Sequence, residues 1–253
     1  MLIADTAHRP WPLPAARWAM TMRWHDLLFL HWPIRPHVLR PLIPAALEID
    51  TFDGWTWIGV VPFRMSGVRP RYVPELRCTS AFPEINVRTY VKTPDRSGVW
   101  FFSLDATNRL AVRVARAWYG LPYYDARIDV EHDGENIHYH STRVHRRAAA
   151  AEFDASYGPT GPVYQSARST LDHWFTERYC LYASGRRGRI GYGDIHHAPW
   201  PLQPAEAEIR INTMTDWLGV TLPTTKPMIH FARRLDVVAW SVARLGPSVL
   251  PLG

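Results

Sequence analysis

At 253 residues, 47% hydrophobic and 21% charged, the chain can bury the core of one large domain or two small ones. Its formal charge is +6, but the cations are scattered, and all but Lys92 and Lys226 of its 29 Lys+Arg are arginine. No basic face or recognition motif points to nucleic acid, two cysteines cannot build a disulfide scaffold or zinc-finger cluster, and the longest apolar stretch, WTWIGVVPF, is too short to span a bilayer.

The N-terminus, MLIADTAHRPWPLPAARW, lacks the basic start and apolar core of a signal peptide, so a cytoplasmic protein is expected. With 22 prolines and 12 tryptophans, the chain should form short, proline-bounded elements around a bulky aromatic interior. Residues 1–21 read as a proline-rich arm, and 22–253 as a single domain. DLLFLHW (26–32) reads as a strand. In the following RPHVLRPLIPAAL, Val38, Leu39, Leu42 and Ile43 stand at helical spacing, with Pro41 and Pro44 limiting the helix.

LEIDTFDGWTWIGVVPF reads as strand, Asp-Gly turn and returning strand, because a two-residue hairpin turn with both central residues at positive φ favours Asp-Gly. The same device recurs in RIDVEHDGENIHYHSTRV. EINVRTYV (84–91) and VWFFSLDA (99–106) alternate at period two, and ERYCLYAS and PMIHFARRLDVVAW are further strand candidates. Short helices are expected over 36–43, 109–118 and 169–177, the last capped by Ser169 or Thr170. No internal repeat or linker divides the chain. One β-rich domain, a closed or strongly curled antiparallel sheet, accounts for the pattern.

On EINVRTYV the pleat puts Glu84, Asn86, Arg88 and Tyr90 on one face and Ile85, Val87, Thr89 and Val91 on the other. The polar set faces either solvent or a cavity, and the strand alone does not choose. In GDIHHAPWPL, Asp194, His196 and His197 invite a metal reading. Adjacent strand side chains point oppositely, however, and no further ligands stand at a recognisable spacing, so no metal site is assigned. Nucleophile-elbow, phosphate-loop and dinucleotide fingerprints are absent, and no cofactor is implied.

Several separated runs do agree with a known family. HDLLFLHWPIRPHVLRPLIPAALEIDTFDGWTWIGVVPF, FPEINVRTYV, GVWFFSLDA, ARAWYGLPY, TERYCLY and HHAPWPL together resemble the YqjF-like bacterial family of unknown function. More remotely, VLRPLIPAALEID and AVRVARAWYGLPYYDARI are similar to segments of acetoacetate decarboxylases. That resemblance implies a mainly β (α+β) fold: a large antiparallel β-barrel or cone with a few short helices and a central pocket. In those enzymes a lysine, its pKa depressed by a neighbouring lysine, forms a Schiff base with the substrate ketone.

Carried over by position, the resemblance puts the decarboxylase glutamate on Glu84 and a preceding helix arginine on Arg116. The arginine of the first strand falls on His25, a second glutamate on Trp57, and the lysine pair on Tyr123 and Tyr124. A tyrosine cannot form an imine. Two readings follow. In one, the barrel binds a small carbonyl- or carboxylate-bearing molecule through Arg88, Arg116, Tyr90, His25 and Trp57. In the other it is a lyase, hydratase or enolising enzyme with Glu84 as acid/base and Tyr123 or Tyr124 as oxyanion donor. A blander alternative has Glu84 and Arg116 as a buried ion pair that only fixes the barrel. Partners are expected to be a small molecule, with no nucleic acid or membrane, and exposed sheet edges leave room for a homo-oligomer.

Overall fold

The structure, a computed structural model, describes residues 3–75, 80–109, 112–113, 120–184 and 189–245. Thirteen strands lie among the described residues. The first five are β1 (Met20–Ile34), β2 (Glu48–Ile49), β3 (Thr56–Pro70), β4 (Phe82–Lys92) and β5 (Ser97–Ala106). Then come β6 (Tyr123–Asp133), β7 (Asn136–Arg143), β8 (Glu152–Pro159) and β9 (Cys180–Ser184). The last are β10 (Ile190–His197), β11 (Gln203–Asn212), β12 (Met228–Ala239) and β13 (Ala243–Arg244).

Strand pairing closes a nine-stranded barrel, β5-β6-β7-β8-β11-β12-β1-β3-β4 and back to β5. The sheet also forks. Beyond the residues that pair with β6, the N-terminal half of β5 pairs with β9, and β10 reaches β12, giving a second circuit β5-β9-β10-β12-β1-β3-β4. The β5–β6 and β5–β9 pairings are parallel and the others antiparallel. Five strands therefore wall both circuits and are buried on both faces, which is why DLLFLHW reads as a continuous run rather than an alternating one. Leu28, Leu30, Ile58, Val60, Ile85 and Val87 face the core shared with Tyr139, Phe153 and Tyr157. Leu27, Phe29, Val61 and Phe63 face a second core that includes Trp200.

Helices are few. Pro36–Leu39 (α1) runs into a 3-10 turn at Arg40–Leu42, its length limited by Pro41. Leu171–Thr176 (α2) starts at Thr170, whose hydroxyl accepts from the His173 amide; Ser169, at φ 68°, is not the cap. Most of the helix expected over 109–118 lies outside the described residues. No helix among them is long and apolar enough to cross a membrane.

Two hairpin expectations change in detail. Asp53 and Gly54 take φ of 50° and 78° as the Asp-Gly turn requires, yet only the Phe52–Trp55 bridge closes there. β2 pairs with Lys92 and Val91 of β4 instead of with β3. The β3–β4 ladder runs from Ile58–Thr89 to Met65–Phe82, leaving the β4 edge beyond Thr89 open for β2. In the β6–β7 turn, Asp133 pairs with Asn136 and only Gly134 has positive φ, so the turn is of the kind with glycine at its first central position.

Candidate functional site

The polar face of β4 turns inward. Register places Glu84 beside Phe63 and Ala106, Asn86 beside Val61 and Leu104, and Arg88 beside Gly59 and Phe101. Ile85, Val87 and Val91 on the other face are equally buried, so β4 is enclosed on both sides. Glu84 is 2% exposed and Asn86 5%. Among the described residues Glu84 Oε2, Asn86 Oδ1 and Arg88 Nε have no hydrogen-bond partner, a concentration of unmet polar atoms that a folded core ordinarily avoids.

Glu84 hydrogen-bonds the Tyr123 side chain. Burial raises its carboxyl from the ordinary 4.5 to about 8; the Tyr123 hydrogen bond lowers it, and the charge of Asp105 raises it further. The carboxyl is therefore largely protonated at neutral pH. Asp105 points to the opposite face of β5, where Arg143 of β7 holds it in a two-pronged pair at 2.6 and 2.8 Å.

Of the tyrosine pair, Tyr123 meets Glu84 and Tyr124 does not. Neighbouring strand residues alternate faces, and Tyr124 lies against His145 and Trp217 with the Arg143 guanidinium 4.2 Å from its ring centre. Arg88 lies four residues along β4 from Glu84, and one of its amino groups is 3.4 Å from the Tyr90 hydroxyl. Tyr90 is fully buried on the same face, its phenol pushed up by burial. Trp57 shares this face but sits edge-on to Phe175, roughly 20 Å along β3 from the position opposite Glu84.

His25 stands on the other side of β1, its Nε2 2.7 Å from Ser66 Oγ; burial and then Arg64 lower its pKa. Trp24, the residue before it, packs on Phe63 and Trp200 instead. Arg116 lies outside the described residues. Lys92 pairs loosely with Glu48 at the end of β4, with its side chain 44% exposed, and Lys226 is in an exposed loop.

The histidine-rich run has other work. Asp194 accepts from Arg96 and the Trp11 indole, His196 Nδ1 is 3.5 Å from Arg9, and His197 stacks on Tyr179. His8 of the N-terminal segment stacks on His196. Among the described residues no group of three or more acidic, histidine or cysteine side chains is placed to hold a metal ion.

Sequence reasoning passed over two residues of the inward face. His31 on β1, fully buried, stacks on Phe175 with centroids 3.9 Å apart; His230 on β12 pairs with Asp172 of α2 at 3.0 Å. A single titratable residue inside each of the apolar runs LLFLHW and MIHFA was the available signal.

A mixed barrel with a forked wall and few short helices is an architecture shared with the acetoacetate decarboxylase-like proteins. The chain is similar in fold to an acetoacetate decarboxylase-like enzyme from Sphingomonas wittichii RW1 (TM-score 0.59, 12% identity, covering 94% of this chain and 98% of that one). It is also similar to acetoacetate decarboxylase from Legionella pneumophila (TM-score 0.56, 12% identity, 94% of each chain). A third similar structure is the enduracididine biosynthesis enzyme MppR complexed with the condensation product of pyruvate and imidazole 4-carboxaldehyde (TM-score 0.61, 9% identity, 90% of each chain).

In sequence, residues 21–236 match the DUF2071 family, described as an uncharacterized conserved protein, and the chain belongs to that family. It is 44% identical over 232 residues to the uncharacterized protein YqjF of Bacillus subtilis (strain 168), covering 92% of this chain and 95% of that protein.

Proposed function

We propose that this protein binds a small carbonyl- or carboxylate-bearing molecule on the inward face of β4, without Schiff-base chemistry. The carrying observation is the row of buried, unpartnered atoms at Glu84, Asn86 and Arg88 on one strand face. With Glu84 protonated and Arg88 charged, this face is electropositive at neutral pH. Arg88 then supplies charge-assisted hydrogen bonds to an anionic group, while the Glu84 carboxylic acid donates to a carbonyl oxygen. Lys226 is in an exposed loop, and Lys92, although on the same strand face, stands at the far end of β4 beside Glu48, roughly 26 Å along the strand from Glu84, which argues against an imine at Glu84.

Binding of pyruvate and other small 2-oxo acids, measured by thermal shift and calorimetry, tests the reading. Arg88→Ala should weaken an anionic ligand by roughly 10- to 100-fold, the worth of a hydrogen bond to a charged group. No shift with any acid of the panel would sink it.

A second reading, acid/base catalysis, draws on a different observation: a carboxyl with a pKa of about 8 in hydrogen-bond contact with a tyrosine. Such a group exchanges its proton near neutrality, as a catalytic acid or base must. If a bound acid is turned over, Glu84→Gln should abolish turnover and leave binding largely intact. Unchanged turnover would remove Glu84 from that role.

A further inference from the structure

β6 begins and β7 ends at the same end of the nine-stranded barrel, where Ala126 stands opposite Arg143. The chain leaves β7 through a turn in which the Ala148 amide donates to the His145 carbonyl at 3.1 Å. Arg146 and Arg147 are its two central residues, and Arg147 takes a φ of 66°. A positive φ at that point of a turn ordinarily calls for glycine or asparagine. Here it carries a long cationic side chain instead.

Beside the turn lies a cleft of about 380 Å³, within the size range of small-ligand pockets. Tyr124, Arg143, His145, Arg146, Arg147 and Trp217 border it, with two alanines of the loop. Trp217 comes from a 3-10 turn, Asp216–Leu218, between β11 and β12. Among the described residues no acidic side chain lines the cleft. Its cations fall into two groups. Arg143 is committed to Asp105 at 2.6 and 2.8 Å, with its guanidinium 4.2 and 5.2 Å from the ring centres of Tyr124 and Trp217. His145 likewise has a carboxylate, that of Asp125, at 3.1 Å. Arg146 and Arg147 are exposed and, among the described residues, make no ion pair. Two residues with uncompensated charge and two aromatic residues therefore border one space.

We propose that this cleft takes a small organic phosphate, its phosphoryl group held by Arg146 and Arg147 and its organic part against Tyr124 and Trp217. The class follows from charge and shape. A phosphoryl dianion matches two unpaired guanidinium charges, and its oxygens can accept from both forks. A single carboxylate matches only one of the charges. The two rings, packed edge-on with centres 6.3 Å apart, add apolar surface that inorganic phosphate cannot use. This site is separate from the inward face of β4, since neither Glu84 nor Arg88 borders it.

Titration calorimetry on the full chain with phenyl phosphate, inorganic phosphate and benzoate tests the proposal. Phenyl phosphate should bind roughly fivefold or more tightly than either of the others, and should move the indole N–H resonance of Trp217. Arg146→Gln and Arg147→Gly should each weaken it about threefold and together about tenfold, while Arg88→Ala leaves it unchanged. Both positions are exposed and glycine suits the φ of residue 147, so the fold should survive both changes. Phenyl phosphate that binds the double variant as tightly as wild type, or that fails to bind at all, would overturn the proposal. Equal binding of phenyl phosphate and inorganic phosphate would show an adventitious anion contact only and overturn it as well. Loss of binding in Arg88→Ala alone would place the ligand on β4 instead.

Discussion

Glu84 shows how much one burial event decides. Its carboxyl titrates at about 8 in the folded chain against an ordinary 4.5. Between those values the native state holds a proton that the unfolded chain has lost, so stability falls as pH rises through this window, and the loss is complete above about 8. The full penalty is on the order of 5 kcal/mol. Glu84→Gln removes it. Urea unfolding should therefore show the variant gaining on wild type steadily from pH 5 to pH 8, a wild-type-minus-variant difference that cancels the titration of the buried histidines. A difference that stays flat across this range would show that Glu84 is ionised in the folded protein at neutral pH. The sequence placed Glu84, Asn86, Arg88 and Tyr90 on one face but could not orient that face, because the opposite face of β4 is just as apolar as a core requires. Burial on both sides erases the contrast from which inside and outside are read.

Elements were more legible than their partners. Period-two alternation predicted β4 and β5, and the Asp-Gly signal located the turn at Asp53 and Gly54, because both depend on residues near in sequence. That β2 joins β4 depends on an edge left open at Val91 and Lys92, far downstream in the chain, which no local pattern records. The same holds for the junction of β5 and β7. The Asp105–Arg143 pair ties these strands with both side chains 1% exposed, and the chain distance between them hides it from any motif. Arg143→Met should cost about 3–5 kcal/mol by leaving Asp105 charged and alone, whereas adding Asp105→Leu should recover most of that loss. Equal destabilisation of the single and double variants in guanidinium unfolding would show that the pair matters through shape rather than charge.

At the scale of the whole molecule, stability should concentrate in the five strands common to both circuits. Amides of β1, β3 and β4 have neighbours on two edges and packed side chains on two faces, so they should exchange hydrogen only through global unfolding. β7 is also paired on both edges, but one of its faces carries His138 and His140 towards solvent, so its amides should open at lower free energy. Native-state hydrogen exchange checks the order. Protection in β7 equal to that in β1 would show that the nine-stranded barrel opens as one unit. The resemblance in sequence supplied this architecture in outline; the fork itself was not readable, since it turns on which half of β5 meets β6 and which meets β9.

The shared wall also separates two inheritances. Because alternate residues of each common strand answer to different interiors, one compartment can be rewritten by exchanging every second position while the intervening ones are kept. Phe29, His31, Gly59, Glu84, Asn86 and Arg88 form one such interleaved set; Leu28, Leu30, Ile58, Val60, Ile85 and Val87 form the other. A relative could thus rewrite the Glu84 compartment wholesale without disturbing the packing that keeps it folded, and a designer could transplant one set without the other.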